Sequence, residues 1–127
     1  MRKNRRKEYK MTDLETVKTV VKALDSKKAG NIRVLKIGDL TILANYFVIA
    51  EGGSNTQVKA LADEVDYQMG LLGIEPKSMS GTQGATWITI DYIDVVVHVF
   101  YKETREFYDL ERLWQDGEEI NIEEFLK

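Results

Sequence analysis

The sequence has no cysteine, and only one histidine and one proline among its 127 residues. Without cysteine, neither a disulfide framework nor a thiolate metal site is possible. With one histidine, a zinc site would rest almost wholly on carboxylates, which are its less usual ligands. No apolar run approaches the roughly 20 residues that span a bilayer. The N-terminus lacks the apolar segment of a signal peptide, so the expected setting is the cytoplasm, with no membrane partner. What is present is ordinary for a globular domain: 43% hydrophobic and 31% charged residues, in a length that suits a single core.

The net charge of −3 conceals an asymmetry. Residues 1–10, MRKNRRKEYK, carry +5, which leaves −8 for residues 11–127. The acidic globular part is a poor grip for a phosphate backbone and suits a basic protein better; DNA is not an expected partner. The basic arm reads either as a disordered extension or as a tail that makes a minor contact with RNA.

The densest information lies in Gly84 to Trp114, which holds both tryptophans and the histidine. Thr86 to Asp91 alternates strictly, and Asp94 to Tyr101 is a β-branched run. A hairpin closed at Tyr92-Ile93 sets Asp91 opposite Asp94, Ile90 opposite Val95, Ile88 opposite Val97 and Trp87 opposite His98. One face is then Ile88, Ile90, Val95, Val97 and Val99, purely apolar and in need of helices. The other is Trp87, Thr89, Asp91, Asp94, Val96, His98 and Phe100, which is mixed and suited to meeting a partner.

Elsewhere, Thr12-Asp13-Leu14-Glu15 fits a capping box, and Val17, Val20, Val21 and Leu24 follow at helical spacing, giving a helix over about 13–28 that Gly30 ends in a left-handed turn. Ile32–Ile37 is a strand, residues 40–44 are ambiguous with a helical turn, and Tyr46–Ala50 is a buried central strand. Ser54 and Gln57 give a second capping-box pattern for a helix carrying Val58, Leu61, Ala62, Val65, Met69 and Leu72, which Gly73 stops. Residues 75–85 form a loop or include a short edge strand. Glu103 to Trp114 reads as one helix with Phe107, Leu110, Leu113 and Trp114 on one side and Tyr108 and Glu111 turned partly away. The acidic segment 117–127 is expected to pack loosely. The chain is therefore a single α/β domain over 11–116, with a mixed β-sheet, helices mainly on one face, a basic extension at 1–10 and an acidic tail at 117–127.

Two constellations invite chemistry. Gly52-Gly53-Ser54 opens a helix, where backbone N–H groups can hold an anion. A nucleotide-transferring enzyme would also need paired carboxylates for magnesium, and Asp91 and Asp94 are the acidic pair by the hairpin. Against this stands an ordinary glycine turn and N-cap. His98 has no serine or cysteine motif beside it, so a structural role, packed against Trp87, together with partner contact is favoured over general-base catalysis. A half-exposed Trp87 suits a binding anchor.

Three runs, NYFVIAEGGSNTQVKALADEV (45–65), TWITIDYIDVVVHVF (86–100) and ETREFYDLERLW (103–114), resemble the ribosomal silencing factor, or Iojap-like, family over about residues 12–116. The resemblance implies an α/β fold of nucleotidyltransferase-like topology without known catalytic activity, cofactor or metal. It implies binding to the large ribosomal subunit through the L-fourteen-type ribosomal protein, blocking of small-subunit joining under nutrient shortage, and a homodimer when free. Carried over by position, Trp87 matches the family tryptophan implicated in the ribosomal contact. Asp91, Tyr92, Asp94 and His98 match its hairpin signature, and Arg105, Tyr108, Asp109, Leu110, Glu111 and Trp114 match its final helix. With Thr89 added from the mixed face, the expected partner-binding residues are Trp87, Thr89, Asp91, Tyr92, Asp94, His98, Arg105 and Tyr108. Ile93 stands where the family usually has glycine, Ser80 where glutamate is usual, and Thr56 where arginine is common. The alternative is a degenerate or active nucleotidyltransferase using Gly52, Gly53, Ser54, Asp91 and Asp94.

Overall fold

A computed structural model describes residues 11–126. The readings made for residues 1–10 lie outside the described residues. The first helix, α1 (Asp13–Ser26), starts with the expected reciprocal capping box: Thr12 Oγ1 accepts from the Glu15 N–H at 3.1 Å, and Glu15 Oε1 accepts from the Thr12 N–H at 2.8 Å. Its exit differs from expectation. Lys28, not Gly30, takes the left-handed turn (φ 63°), and Gly30 is already the first residue of strand β1 (Gly30–Lys36). A turn of irregular residues leads to β2 (Tyr46–Gly52), which is buried along nearly its whole length.

Helix α2 (Asn55–Leu71) is capped by Ser54, whose Oγ accepts from the Gln57 N–H. The Gln57 side chain reaches back one residue further than a capping box requires, to the Gly53 N–H at 2.7 Å. Gly73 (φ 80°) stops the helix, and Ile74 folds back onto the core. The remaining elements are β3 (Ser78–Ser80), β4 (Trp87–Asp91) and β5 (Val95–Tyr101), short helices α3 (Lys102–Tyr108) and α4 (Leu110–Leu113), and strand β6 (Glu118–Ile120). Gly81 (φ 83°) is obligatory between β3 and β4, because a β-carbon there would collide with the Trp87 carbonyl oxygen.

The sheet order is β3-β4-β5-β2-β1-β6, with β2 and β5 parallel and the other neighbours antiparallel. This is the mixed sheet expected. The first face buries Val34, Val48, Ala50, Ile88, Ile90, Val95, Val97 and Val99 under the apolar stripes of α1 and α2. Burying an aliphatic side chain contributes about 1.5–3 kcal/mol, so this layer supplies most of the stabilisation. The second face carries a smaller cluster, Leu35, Ile37, Ala44, Phe47, Ile49, Phe100 and Leu110, with Trp87, Val96 and Trp114 against it.

Three expectations need correction. The β4–β5 register is displaced by two residues: Trp87 pairs with Phe100, Thr89 with His98, and Asp91 with Val96. The turn corner is Ile93–Asp94 rather than Tyr92–Ile93, closed by the Tyr92 N–H donating to the Val95 carbonyl at 2.9 Å. A shift of two preserves the alternation, so the faces are as expected although Asp91 does not oppose Asp94. The helix over 103–114 is broken at Asp109, which sits in the left-handed region (φ 49°, ψ 52°). The break leaves Phe107 and Leu113 exposed at 79% and 75% while Glu111 turns inward, the reverse of the face assigned to them. Finally, segment 117–127 supplies β6 (Glu118–Ile120), paired with Val34–Lys36 of β1, and a 3-10 turn, Ile122–Phe125, whose apolar side chains pack on the core.

Ile93 occupies the left-handed region at φ 75° with a largely exposed side chain. A β-branched residue there is strained by about 1–2 kcal/mol, and glycine is not. Ile93→Gly is expected to stabilise the protein by about 1 kcal/mol, after some offset from the freer unfolded chain. A rise in the urea midpoint at constant slope checks this; an unchanged or lower midpoint contradicts it.

Candidate functional site

Most of the sequence-derived residues gather on the second sheet face, Tyr92 being the exception, and they play unlike parts. Thr89 and Asp91 are half-buried and follow Trp87 along β4 on that face. Tyr108, at the end of α3, is exposed and its ring lies 5.1 Å from that of Trp87. Trp87 also stacks on Phe100 at 4.8 Å. Its indole edge is fixed by one hydrogen bond, Nε1–H donating to His98 Nδ1 at 3.1 Å.

That bond sets the histidine's state. Indole Nε1 is only a donor, so Nδ1 must be bare and the neutral ring carries its proton on Nε2. His98 is 6% exposed, with Phe47 edge-on at 4.6 Å, and Nε2 is buried without a partner. Burial lowers its pKa from 6.5 to about 4, against a smaller upward pull from the Glu111 charge. The structural half of the expectation is what the structure shows, His98 orienting the indole from below, whereas a ring this buried offers a partner no direct contact.

Arg105 is likewise interior, 4% exposed. Its guanidinium donates to Glu111 Oε2 through Nε and Nη2 (3.1 and 2.8 Å), and through Nη1 to Glu51 Oε1 (3.1 Å) and the Asn31 carbonyl (2.8 Å). Burial pushes the Glu111 carboxyl up. Hydrogen bonding and charge from Arg105, its own backbone N–H and the Arg33 charge outweigh this and hold it below its ordinary range. Arg33 extends the network to Glu119 of β6 at 2.7 Å. Residues six apart on an unbroken helix lie on different sides, so the turn at Asp109 is what brings Glu111 back to Arg105.

The hairpin turn behaves differently again. Asp91 Oδ1 accepts from the Ile93 N–H at 2.7 Å, and Asp94 is exposed, its carbonyl accepting from the Asn45 and Tyr46 N–H groups. Tyr92 turns to the helix-covered side, where its hydroxyl is buried without a partner. Burial, and then the charges of Asp66 and Glu75, push that phenol above its ordinary pKa.

Gly52–Ser54 and the Asp91/Asp94 pair are at opposite ends of the sheet. In the parallel pair, Tyr46 is level with Val95 and Gly52 with Tyr101. At about 3.3 Å per residue, the glycine turn is therefore roughly 20 Å from the carboxylates. Its Gly53 N–H is already occupied by Gln57. Among the described residues, no group of His, Asp and Glu is arranged to hold a metal. No described helix is long and apolar enough to cross a membrane.

Sequence reasoning placed Phe100 on the face of Trp87 but missed Phe47, which lies against His98 and is met in turn by Trp114. Phe47 was hidden because β2 is buried on both faces and shows no alternation. Glu51 and Glu111 as partners of Arg105 had no local signal at all.

The arrangement defines an α/β domain with one face sealed by helices and the other left partly open around a fixed tryptophan. Residues 10–127 match the model of a family described as ribosomal silencing factor during starvation, and the chain belongs to that family. It is 39% identical over 113 residues to the ribosomal silencing factor RsfS of Halalkalibacterium halodurans, covering 89% of this chain and 97% of that protein. Against RsfS of Bacillus subtilis the identity is 41% over 107 residues, 84% of this chain and 91% of the relative. A crystal structure of a Chromobacterium violaceum protein superposes with a TM-score of 0.81 at 35% identity, over 87% of this chain and 92% of that one.

The depressed His98 gives a pH dependence of known sign. Between the folded pKa near 4 and the unfolded value near 6.5, the unfolded state binds more protons, so stability rises with pH. The contribution is full above about pH 6.5, shrinks as the pH falls, and is gone near pH 4, for a total of about 3 kcal/mol. NMR of the single imidazole should show it neutral at pH 5.5 in the folded protein. A ring that titrates near 6.5 while the protein stays folded contradicts the burial argument.

Proposed function

We propose that this chain silences ribosomes by occupation: it binds the large ribosomal subunit through the L-fourteen-type ribosomal protein and covers the surface on which the small subunit must dock. The observation that carries the reading is the half-open aromatic face, with Trp87 held on its bed by His98 and Tyr108 beside it, in a family member whose residues 11–127 carry −8. An acidic domain meets a basic protein with charge guiding encounter and register, while a central aromatic supplies affinity. Thr89 and Asp91 continue the contact surface along β4. Asp94 flanks it, while His98 and Arg105 act from beneath by holding Trp87, α3 and α4 in place.

The reading places the protein in the cytoplasm, as a homodimer when free, with a minor ribosomal RNA contact from residues 1–10. It requires no cofactor and no bond-making step. The nucleotidyltransferase alternative is disfavoured by the roughly 20 Å between the glycine turn and the carboxylates.

Trp87→Ala is expected to weaken binding to purified large subunits by about 30- to 1000-fold in co-sedimentation. Because that substitution also strips His98 of its donor, Tyr108→Ala provides a second variant that removes an exposed ring, and it should weaken binding in the same direction. Either variant binding like the unsubstituted protein, with an unchanged circular dichroism spectrum, moves the anchor elsewhere and overturns this assignment.

A further inference from the structure

The segment between β1 and β2 is rigidly built and ends in an apolar tip with no use inside the fold. Its base is closed by the Ile37 and Gly38 N–H groups donating to the Asn45 carbonyl, and its turn by the Leu40 and Thr41 N–H groups donating to the Ile37 carbonyl. The Leu43 N–H donates to Thr41 Oγ1. Asn45 then ties the whole segment down, donating through its backbone to Asp94 and through Nδ2 to Asp13. On this frame, Ile42 is fully exposed, Leu43 is 73% exposed, and Leu40 is also exposed. Folding gains almost nothing from these side chains, since they remain in water.

Their position is informative. Ile37 and Ala44, the two stems, belong to the cluster of the second face, with Phe47, Phe100 and Leu110, against which Trp87 and Val96 pack. The tip therefore borders the face that carries Trp87, at its opposite end. Trp87 is level with Phe100, and Asn45 is bonded to Asp94, so the two apolar features are separated by about six residues of β5, roughly 20 Å. A partner of ordinary size covers about 800 Å² and spans such a distance. The segment itself carries Asp39, and the two residues that Asn45 binds at its base, Asp13 and Asp94, are also acidic.

We propose that Ile42 and Leu43 form a second apolar anchor of the Trp87 docking surface, received by an apolar cleft flanked by lysine or arginine on the same basic ribosomal protein. The inference rests on the docking reading above. It is continuous with that surface, and the acidic border matches a basic protein and repels a phosphate backbone. Two anchors at the ends of one face also fix orientation, which a single tryptophan cannot do.

The test compares the full chain, the Ile42→Ala/Leu43→Ala double variant and Leu72→Ala by co-sedimentation with purified large subunits and with protein-free large-subunit RNA. Leu72 is an exposed leucine at the end of α2, on the helix-covered side. The double variant is expected to melt like the full chain yet bind large subunits about tenfold or more weakly. Leu72→Ala should bind normally. Equal binding by the double variant overturns the second anchor and leaves the Trp87 reading standing. An equal loss with Leu72→Ala marks unspecific adhesion and also overturns it. A difference that persists on protein-free RNA assigns the tip to RNA and overturns the protein partner. Failure of the full chain to bind subunits at all removes the docking reading and this inference with it.

Discussion

The buried Arg105 guanidinium is the constraint on which the rest of the second face depends. It is held by two carboxylates and a backbone carbonyl drawn from β1, β2 and the start of α4. Removing a charge of this kind from water is costly, and the site repays that only because nearly every donor is used. Any movement of α3 or α4 away from the sheet would leave charges buried and unpaired, so the geometry is all-or-none. Through Glu111 the same network reaches Arg33, and through Arg33 it reaches β6. One interaction thus fixes the kink at Asp109, the placement of Tyr108 beside Trp87 and the docking of the last strand.

The face above that network is layered. Phe47 and Phe100 form the floor, His98 lies between them and accepts from the indole, and Trp87 is the part that remains half open. A tryptophan held by a directional bond and a stacked ring loses little freedom on binding, which favours contact over chemistry. The same logic governs the segment around Ile42, where backbone bonds hold apolar side chains in water. Both are regions in which the chain leaves hydrophobic surface open to water.

Much of this was legible in the residues, and the reason is periodicity. The alternation in β4 and β5 assigned the two faces correctly although the register was displaced by two, since an even shift moves no side chain across the sheet. Capping residues gave both long helices within a residue or two, because a cap acts locally. What failed was non-local. The break at Asp109 exists to return Glu111 to Arg105, and β6 exists because β1 has an open edge and Arg33 binds Glu119. Neither cause lies within the helical or acidic segment itself. Ile93 shows the converse: it stands where the family usually has glycine, and the structure finds it in the conformation that glycine favours.

If the face works by covering a surface, its effect must follow occupancy. One copy has to remain bound for each subunit held apart, and the effect must disappear when the copy leaves. An enzyme acting on the same subunit would need far fewer copies and would leave a lasting mark. Light scattering of purified small and large subunits, mixed with graded amounts of the protein and then diluted, separates the two directly. The account predicts that joining is blocked in proportion to bound protein, approaching one copy per large subunit, and is restored on dilution. Inhibition by amounts far below one copy per subunit, persisting after the protein is removed, would contradict it.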